Sequence, residues 1–212
     1  MGVILIKTLL IDPPWRMCSG GKSSINVHYQ YDLQTQAEIK ETVDGWLQDV
    51  EVNPEAHVYI WCINSFKTGL CRGILDAVDL CEHIGFRAIT LIPWIKTNIG
   101  NPTPYGMRAV EHCLFGVRNR KGKIREVAWT GGSVAGVGLS SSNDYYLAPR
   151  TIHSKKPFGF YAYIEKRSQG PYCELYARNR REGWISFGNE VDRSLPKQQQ
   201  QKTTTDQYGL WG

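Results

Sequence analysis

Runs of apolar residues, separated by polar and glycine-rich segments, predict strands and helices that alternate along the chain. Short continuous apolar runs are typical of buried strands, because a strand covered on both faces loses the alternation of a half-exposed one. Such strands are predicted at residues 3–11, 57–62, 87–95, 111–118, 124–129, 172–177 and 184–187.

Three helices are predicted between these strands. Thr35 followed by Glu38 is the capping-box pattern, which predicts a helix over residues 35–47. Apolar residues at steps of three and four predict a second helix over residues 66–84, and a proline in the first turn marks a third over 157–167. Strands that alternate with helices indicate one α/β domain with a largely parallel sheet.

Two segments lack any periodicity. Residues 131–143 are rich in Gly and Ser and are predicted to form a long loop. From residue 194 the chain is rich in Lys, Gln and Thr, a composition typical of disorder. We therefore predict a folded domain over residues 1–193 and a disordered polar tail over 194–212.

Composition restricts the class of protein. The 212 residues include 25 Lys and Arg against 20 Asp and Glu, a formal charge of +5 that permits an anionic partner such as nucleic acid. The length suits one core, and the ordinary hydrophobic content of 42% excludes a disordered polyelectrolyte or a fibrous polymer.

Cysteine spacing and apolar run length bear on metals and location. None of the six cysteines forms a Cys-x-x-Cys pair, so no metal site is predicted and a reducing, cytoplasmic location is expected. No apolar stretch reaches the roughly 18 residues of a membrane span, so no membrane partner is expected.

The tetrapeptide Asp12-Pro13-Pro14-Trp15 is the sharpest candidate for chemistry. It directly follows the first predicted strand, and ligands bind at the carboxyl ends of the strands in such sheets. An Asp12 carboxylate and a Pro13 carbonyl could accept both hydrogens of an exocyclic amino group, while the Trp15 ring stacks on the base. This arrangement fits methyl transfer to adenine, although Asp before prolines is also a common turn starter.

Six further sequence blocks follow the tetrapeptide in order. They are Tyr-Ile-Trp-Cys at 59–62, Pro-Trp-Ile-Lys-Thr-Asn at 93–98, Glu-His-Cys-Leu-Phe-Gly-Val at 111–117, His-Ser-Lys-Lys-Pro at 153–157, Cys-Glu-Leu-Tyr-Ala-Arg at 173–178 and Trp-Ile-Ser-Phe-Gly-Asn-Glu at 184–190. With these blocks the chain resembles, from residue 9 to about residue 192, the adenine N(6)-methyltransferases of the MT-A70 family, and looks most like bacterial or phage members.

The resemblance implies S-adenosylmethionine as cofactor and methyl donor. It also implies a Rossmann-like fold in permuted order, with the catalytic motif early and the cofactor segment late. Residues 12–15 carry over as the catalytic tetrapeptide, and Tyr31 resembles an aromatic that gates the pocket and contacts the substrate. The positions that match cofactor contacts are Asp12, Lys156, Glu174, Arg178, Asn179, Arg180, Asn189 and Glu190.

The chain departs from the family pattern in three places. An upstream Asp that contacts the cofactor adenine in the eukaryotic members has no counterpart. Glu190 replaces the usual Gln, and an ionised Glu accepts but does not donate hydrogen bonds. The segment after Arg178 is also shorter than in the eukaryotic enzyme.

Further substrate contacts are expected where polar residues end a strand or basic residues cluster. Lys96 and Asn98 follow the third predicted strand, although turn capping is their alternative role. Arg150 and Lys155 lie beside Lys156 and are candidates for phosphate contacts, although charge runs are also common on solvated faces.

The resulting hypothesis is an adenine N(6)-methyltransferase that acts on DNA. An RNA adenosine methyltransferase shares every catalytic residue, so it stays open. A non-catalytic nucleic-acid-binding subunit is the alternative of another class. A methyltransferase acting on an amide or amine of a protein or small molecule is a third alternative. With no separate target-recognition domain predicted, selectivity is expected from loops, from a second copy of the chain or from a partner subunit.

Overall fold

The computed structural model describes residues 4–16, 33–64, 71–98, 101–103, 106–118, 145–150, 156–189 and 191. Within these ranges the chain forms nine strands and three helices. In chain order they are β1 (Leu5–Ile11), α1 (Gln36–Leu47), β2 (Glu51–Cys62), α2 (Ile74–His83), β3 (Arg87–Lys96), β4 (Asn101–Thr103), β5 (Gly106–Arg108), β6 (Val110–Val117), β7 (Tyr146–Ala148), α3 (Gly159–Arg167), β8 (Tyr172–Leu175) and β9 (Trp184–Phe187).

Seven of these strands form one sheet in the order β7-β3-β6-β2-β1-β8-β9. Neighbouring strands are parallel except that β6 runs antiparallel to both β2 and β3. The predicted α/β class with a largely parallel, Rossmann-like sheet is confirmed, and β6 is the exception. β1, which is followed directly by Asp12, lies between β2 and β8, so an early and a late segment of the chain are neighbours in the sheet.

Apolar side chains of alternate residues in β2 enter two cores on opposite faces of the sheet. Val58 and Ile60 belong to the core beneath α1 and α2, whereas Tyr59 and Trp61 belong to an aromatic core beneath α3. This division follows from the period of two in a strand. Each fully buried large side chain stabilises the fold by about 1.5–3 kcal/mol. Both faces of the central strands are therefore covered by helices.

The helix boundaries show where a local sequence pattern predicted the start of a helix correctly and where it did not. The predicted capping box is confirmed, because Glu38 N donates to Thr35 Oγ1 at 3.3 Å and Thr35 N donates to Glu38 Oε2 at 2.7 Å. The second helix begins at Ile74, later than predicted, because Gly73 adopts a φ of +60° that interrupts helical backbone. Residues 65–70 lie outside the described part of the chain.

Several short or irregular elements were not anticipated. The hairpin of β4 and β5 and the edge strand β7 have three residues each, too few for a pattern. β2 begins at Glu51, six residues earlier than predicted, and its ladder with β1 shifts register between Ile6 and Thr8. The predicted strand at 124–129, the loop at 131–143 and the tail at 194–212 lie outside the described residues, so these remain predictions. None of the described helices has the length and apolarity of a membrane span.

Candidate functional site

A cavity of about 550 Å³ opens where β1 and β8 end and α3 begins. Parallel neighbouring strands bring their carboxyl ends to one edge of the sheet, where ligands of α/β proteins bind. The cavity contains six of the predicted site residues, namely Asp12, Lys156, Glu174, Arg178, Asn179 and Arg180. The other lining residues are Leu10, Trp61, Pro157, Phe158, Phe160, Tyr161, Tyr176, Arg181 and Glu182.

The tetrapeptide forms a tight turn braced by backbone hydrogen bonds. Trp15 N donates to the Pro13 carbonyl at 2.9 Å, and Gln34 N donates to the Pro14 carbonyl at 2.9 Å. A carbonyl oxygen has two lone pairs, so the Pro13 oxygen keeps one for a second donor. Asp12 N donates to the Leu175 carbonyl at 3.4 Å, which ties the turn to the end of β8.

Trp15 occupies a different place from the one predicted. Its side chain is only 5% exposed and belongs to the core beneath α1 and α2. The indole Nε1 donates to the Trp61 carbonyl at 2.8 Å. A ring so deeply packed offers little surface to a nucleobase, so the expected stacking role is replaced by an anchoring one. Trp15 fixes the tetrapeptide to β2.

Four charged side chains alternate in sign in a row of ion pairs. Asp12 and Lys156 line the cavity, whereas Glu111 and Lys96 do not. Lys156 Nζ lies 3.0 Å from Asp12 Oδ1 and 3.6 Å from Glu111 Oε2, and Lys96 Nζ lies 2.8 Å from Glu111 Oε1. Burial alone would lower the pKa of Lys156, but the carboxylates of Asp12 and Glu111 outweigh it and raise that pKa. Lys156 is therefore a cation held in contact with Asp12, the predicted catalytic carboxylate.

Lys96 and Glu111 form an ion pair next to Lys156, outside the cavity lining. Lys96 was predicted to contact substrate, yet it is 8% exposed and its ammonium faces Glu111, so the expected surface contact is not what the fold provides. Burial would raise the pKa of Glu111, but Lys156 and Lys96 together lower it. Sequence reasoning did not propose Glu111, and its one available signal is a carboxylate at the start of an apolar strand.

Glu174 is a buried carboxyl group on the cavity wall. It is 6% exposed, and Tyr161 Oη donates to its Oε1 at 2.8 Å. Burial raises the pKa of Glu174 to about 7, and the nearby charge of Asp12 acts in the same direction. Perturbed carboxyl groups in clefts are typical of functional sites. Tyr161 was not predicted to belong to the site.

The loop between β8 and β9 supplies the outer wall. Tyr176 adopts a φ of +64°, an uncommon conformation for a bulky residue, and its hydroxyl donates to Gln34 Oε1 at 2.6 Å. Gly188 lies so close to this loop that an added Cβ would come within 2.2 Å of the Ala177 carbonyl oxygen. Asn189 follows, exposed at the end of β9 and outside the cavity lining. Its contact with the cofactor stays a prediction.

Asn98 holds a neighbouring loop together. Its Nδ2 donates to the Arg150 carbonyl at 2.8 Å, and its Oδ1 accepts from Arg150 N at 2.9 Å. Both ends of the amide are therefore used by backbone, so turn stabilisation, the alternative role, is the one observed. The role of the Arg150 guanidinium stays a prediction. Tyr31, Lys155 and Glu190 lie outside the described residues, and their roles stay predictions as well.

Comparison with known proteins identifies the family. A family model described as MT-A70 matches residues 6–190, and a search of curated proteins gives no match. Among the described residues, no group of three or more His, Cys, Asp or Glu side chains is arranged to hold a metal ion. Because the match covers most of the chain, including both walls of the cavity, this protein belongs to the MT-A70 family of S-adenosylmethionine-dependent methyltransferases.

Proposed function

We propose that the protein methylates the exocyclic amino group of adenine in DNA. The observation that carries this proposal is the position of Asp12, which lines the cavity and makes a 3.0 Å ion pair with Lys156. The next residue in the turn is Pro13, whose carbonyl oxygen is a second acceptor. Two acceptors on consecutive residues suit a group that presents two N–H donors, as the adenine amino group does.

The cavity has the charges that S-adenosylmethionine needs. Its volume falls within the range of about 300–1,000 Å³ typical of small-molecule sites. Lys156 suits the carboxylate of the amino acid moiety, and Asp12 suits its ammonium group. Glu174 can accept from the ribose hydroxyls. When bound, S-adenosylmethionine supplies an electrophilic methyl group on a positively charged sulfur.

Asp12 and Pro13 would then act on the adenine amino nitrogen. That nitrogen is a weak nucleophile, because its lone pair is delocalised into the ring. Lys156 holds Asp12 Oδ1, which leaves Oδ2 to accept one amino hydrogen while the Pro13 carbonyl accepts the other. Accepting both hydrogens localises the lone pair and directs it toward the methyl donor. The alkylated nitrogen is cationic and strongly acidic, so it releases one proton to Asp12 Oδ2 or to water, and no strong base is required.

Nucleic acid is supported as substrate by charge around the cavity. Arg178, Arg180 and Arg181 line it, and the chain as a whole carries a formal charge of +5. Arginines near phosphates make binding depend on salt. DNA is the proposed form of the substrate because the sequence blocks resemble those of bacterial and phage members. A cytoplasmic location and a second copy or partner subunit stay predictions.

The test compares purified wild type with Asp12→Asn, using Asp49→Asn on the exposed surface as a matched control. Matched DNA and RNA oligonucleotides compete for labelled methyl groups, and mass spectrometry of the nucleosides identifies the product. We expect N(6)-methyladenine chiefly in DNA and a loss of about 100-fold or more in kcat for Asp12→Asn.

Three outcomes would contradict the proposal. Turnover of Asp12→Asn equal to wild type would refute the role of Asp12. Preferential methylation of RNA would reassign the substrate. Methylation of a protein or a small amine, with none in either nucleic acid, would reassign the class of enzyme.

A further inference from the structure

Three side chains form a cluster at the edge of the cavity, here called the rim cluster: Phe158, Tyr161 and Arg181. The guanidinium carbon of Arg181 lies 3.6 Å from the centroid of the Tyr161 ring and 4.4 Å from the centroid of the Phe158 ring. The two rings have centroids 6.4 Å apart and are tilted by 54°. Arg181 therefore contacts both rings at cation–π distance.

The inner end of the rim cluster is fixed and its outer end is open. Tyr161 is held by its hydrogen bond to Glu174 inside the cavity. Phe158 is 73% exposed, whereas Phe160, two residues later, is 1% exposed. Among the described residues, the other exposed large hydrophobic side chains are Ile4, Leu75 and Ile89, and none of these lines the cavity. An exposed aromatic ring beside a ligand site is a recognition feature.

The surroundings of Phe158 indicate what its open face binds. Arg178 and Arg180 line the same cavity, together with the acidic Glu182. A purely apolar partner would not need the arginines, and a simple anion would not need the ring. A nucleotide needs both, because its base stacks on an aromatic face and its phosphate is neutralised by basic side chains.

We propose that the exposed face of Phe158 stacks on a nucleobase that neighbours the target adenine, with Arg181 positioned for the adjoining phosphate. This inference rests on the proposed function, since it requires a nucleic-acid substrate, and it goes further by specifying the state of the strand. A base stacked on a protein ring has lost its neighbouring base from that face, so the strand must be unstacked at this step. The rim cluster therefore selects single-stranded or locally opened nucleic acid.

The test uses Phe158→Leu, which keeps apolar bulk but removes the aromatic ring, and Phe158→Trp, which keeps an aromatic ring. Leu75→Ala on α2 is the control, as an exposed apolar residue away from the cavity. Binding of a fluorescent single-stranded oligonucleotide is measured by anisotropy, KM and kcat by methyl transfer, and S-adenosylmethionine affinity by calorimetry.

We expect Phe158→Leu to raise the KM for the oligonucleotide and the oligonucleotide Kd about tenfold, a larger change than any in S-adenosylmethionine affinity. Phe158→Trp should restore affinity, and its added fluorescence, relative to wild type, should be quenched by the oligonucleotide. Arg181→Gln should reduce the slope of log affinity against log salt by about one.

Wild-type KM in Phe158→Leu would overturn the inference while leaving the proposed function intact. A loss of cofactor affinity as large as the loss of oligonucleotide affinity would also overturn it, because Phe158 would then serve the cofactor. If wild type neither binds nor methylates nucleic acid, the proposed function and this inference both fail.

Discussion

Replacing Glu174 with Gln should stabilise the protein, and the gain should depend on pH. In the fold, burial raises the pKa of this carboxyl group from its ordinary 4.5 to about 7. The folded state therefore keeps a proton that the unfolded chain has already lost. Gln is neutral at every pH and retains an oxygen that can accept from Tyr161. The substitution thus removes a buried charge without removing the hydrogen bond.

The size of the gain follows from the two pKa values. Each pH unit between them corresponds to about 1.4 kcal/mol, so ionising Glu174 in the fold costs about 3 kcal/mol. Because the unfolded state binds fewer protons between the two values, wild-type stability falls as pH rises through this window. Above pH 7 the penalty is complete. Glu174→Gln should therefore gain about 3 kcal/mol at pH 8 and about 1 kcal/mol or less at pH 5.

Urea unfolding of both proteins at pH 5 and pH 8, without cofactor, measures this difference. Glu41→Gln on the exposed surface of α1 is the control and should show no comparable dependence on pH. The same variant should bind S-adenosylmethionine more weakly at pH 8, because a carboxylate accepts hydrogen bonds from hydroxyls more strongly than an amide does. An equal gain at both pH values, or a loss of stability at pH 8, would refute the reasoning about burial.

Three other substitutions test the ion pair of Lys96, the helix cap at Thr35 and the close packing of Gly188. Lys96→Met removes one of the two cations that contact Glu111, so it should destabilise the fold by about 3 kcal/mol in urea unfolding and lower kcat. Lys96→Arg should recover part of both losses. Wild-type stability and kcat in Lys96→Met would exclude a role for the ion pair. Thr35→Ala should cost about 1 kcal/mol by removing the helix cap, measured by thermal unfolding, and no change would discount the capping box. Gly188→Ala forces a Cβ against the Ala177 carbonyl and should cost about 2 kcal/mol and weaken cofactor binding in calorimetry, so an unchanged variant would contradict the close approach.

Local patterns predicted several elements well. The capping box at Thr35 and the strand at 184–187 agree with the structure because each depends on adjacent residues alone. The position of Asp12 in a cavity also follows from sequence, since it needs only a strand end in a parallel sheet. The resemblance to the family also predicted Lys156 and Glu174 as site residues, and both line the cavity.

Contacts between residues that lie far apart in the sequence could not be predicted from it. Glu111 reaches Lys156 only because β6 is inserted antiparallel between β2 and β3, an arrangement that no local pattern encodes. Trp15 looked like a stacking surface because burial is not visible in a tetrapeptide. Asn98 looked like a substrate contact because its partner, the backbone of Arg150, is 52 positions away.

The pairing of β1 with β8 has a consequence for how the protein is made. Thr8 donates to the Gln169 carbonyl across 161 positions of the chain, and the walls of the cavity meet only when these two strands are joined. Such long-range contacts close late, because loop entropy must be overcome first. A nascent chain emerging from the ribosome therefore exposes Asp12 long before Glu174 exists. The ability to bind the methyl donor should thus appear last in synthesis, in a single step with completion of the sheet.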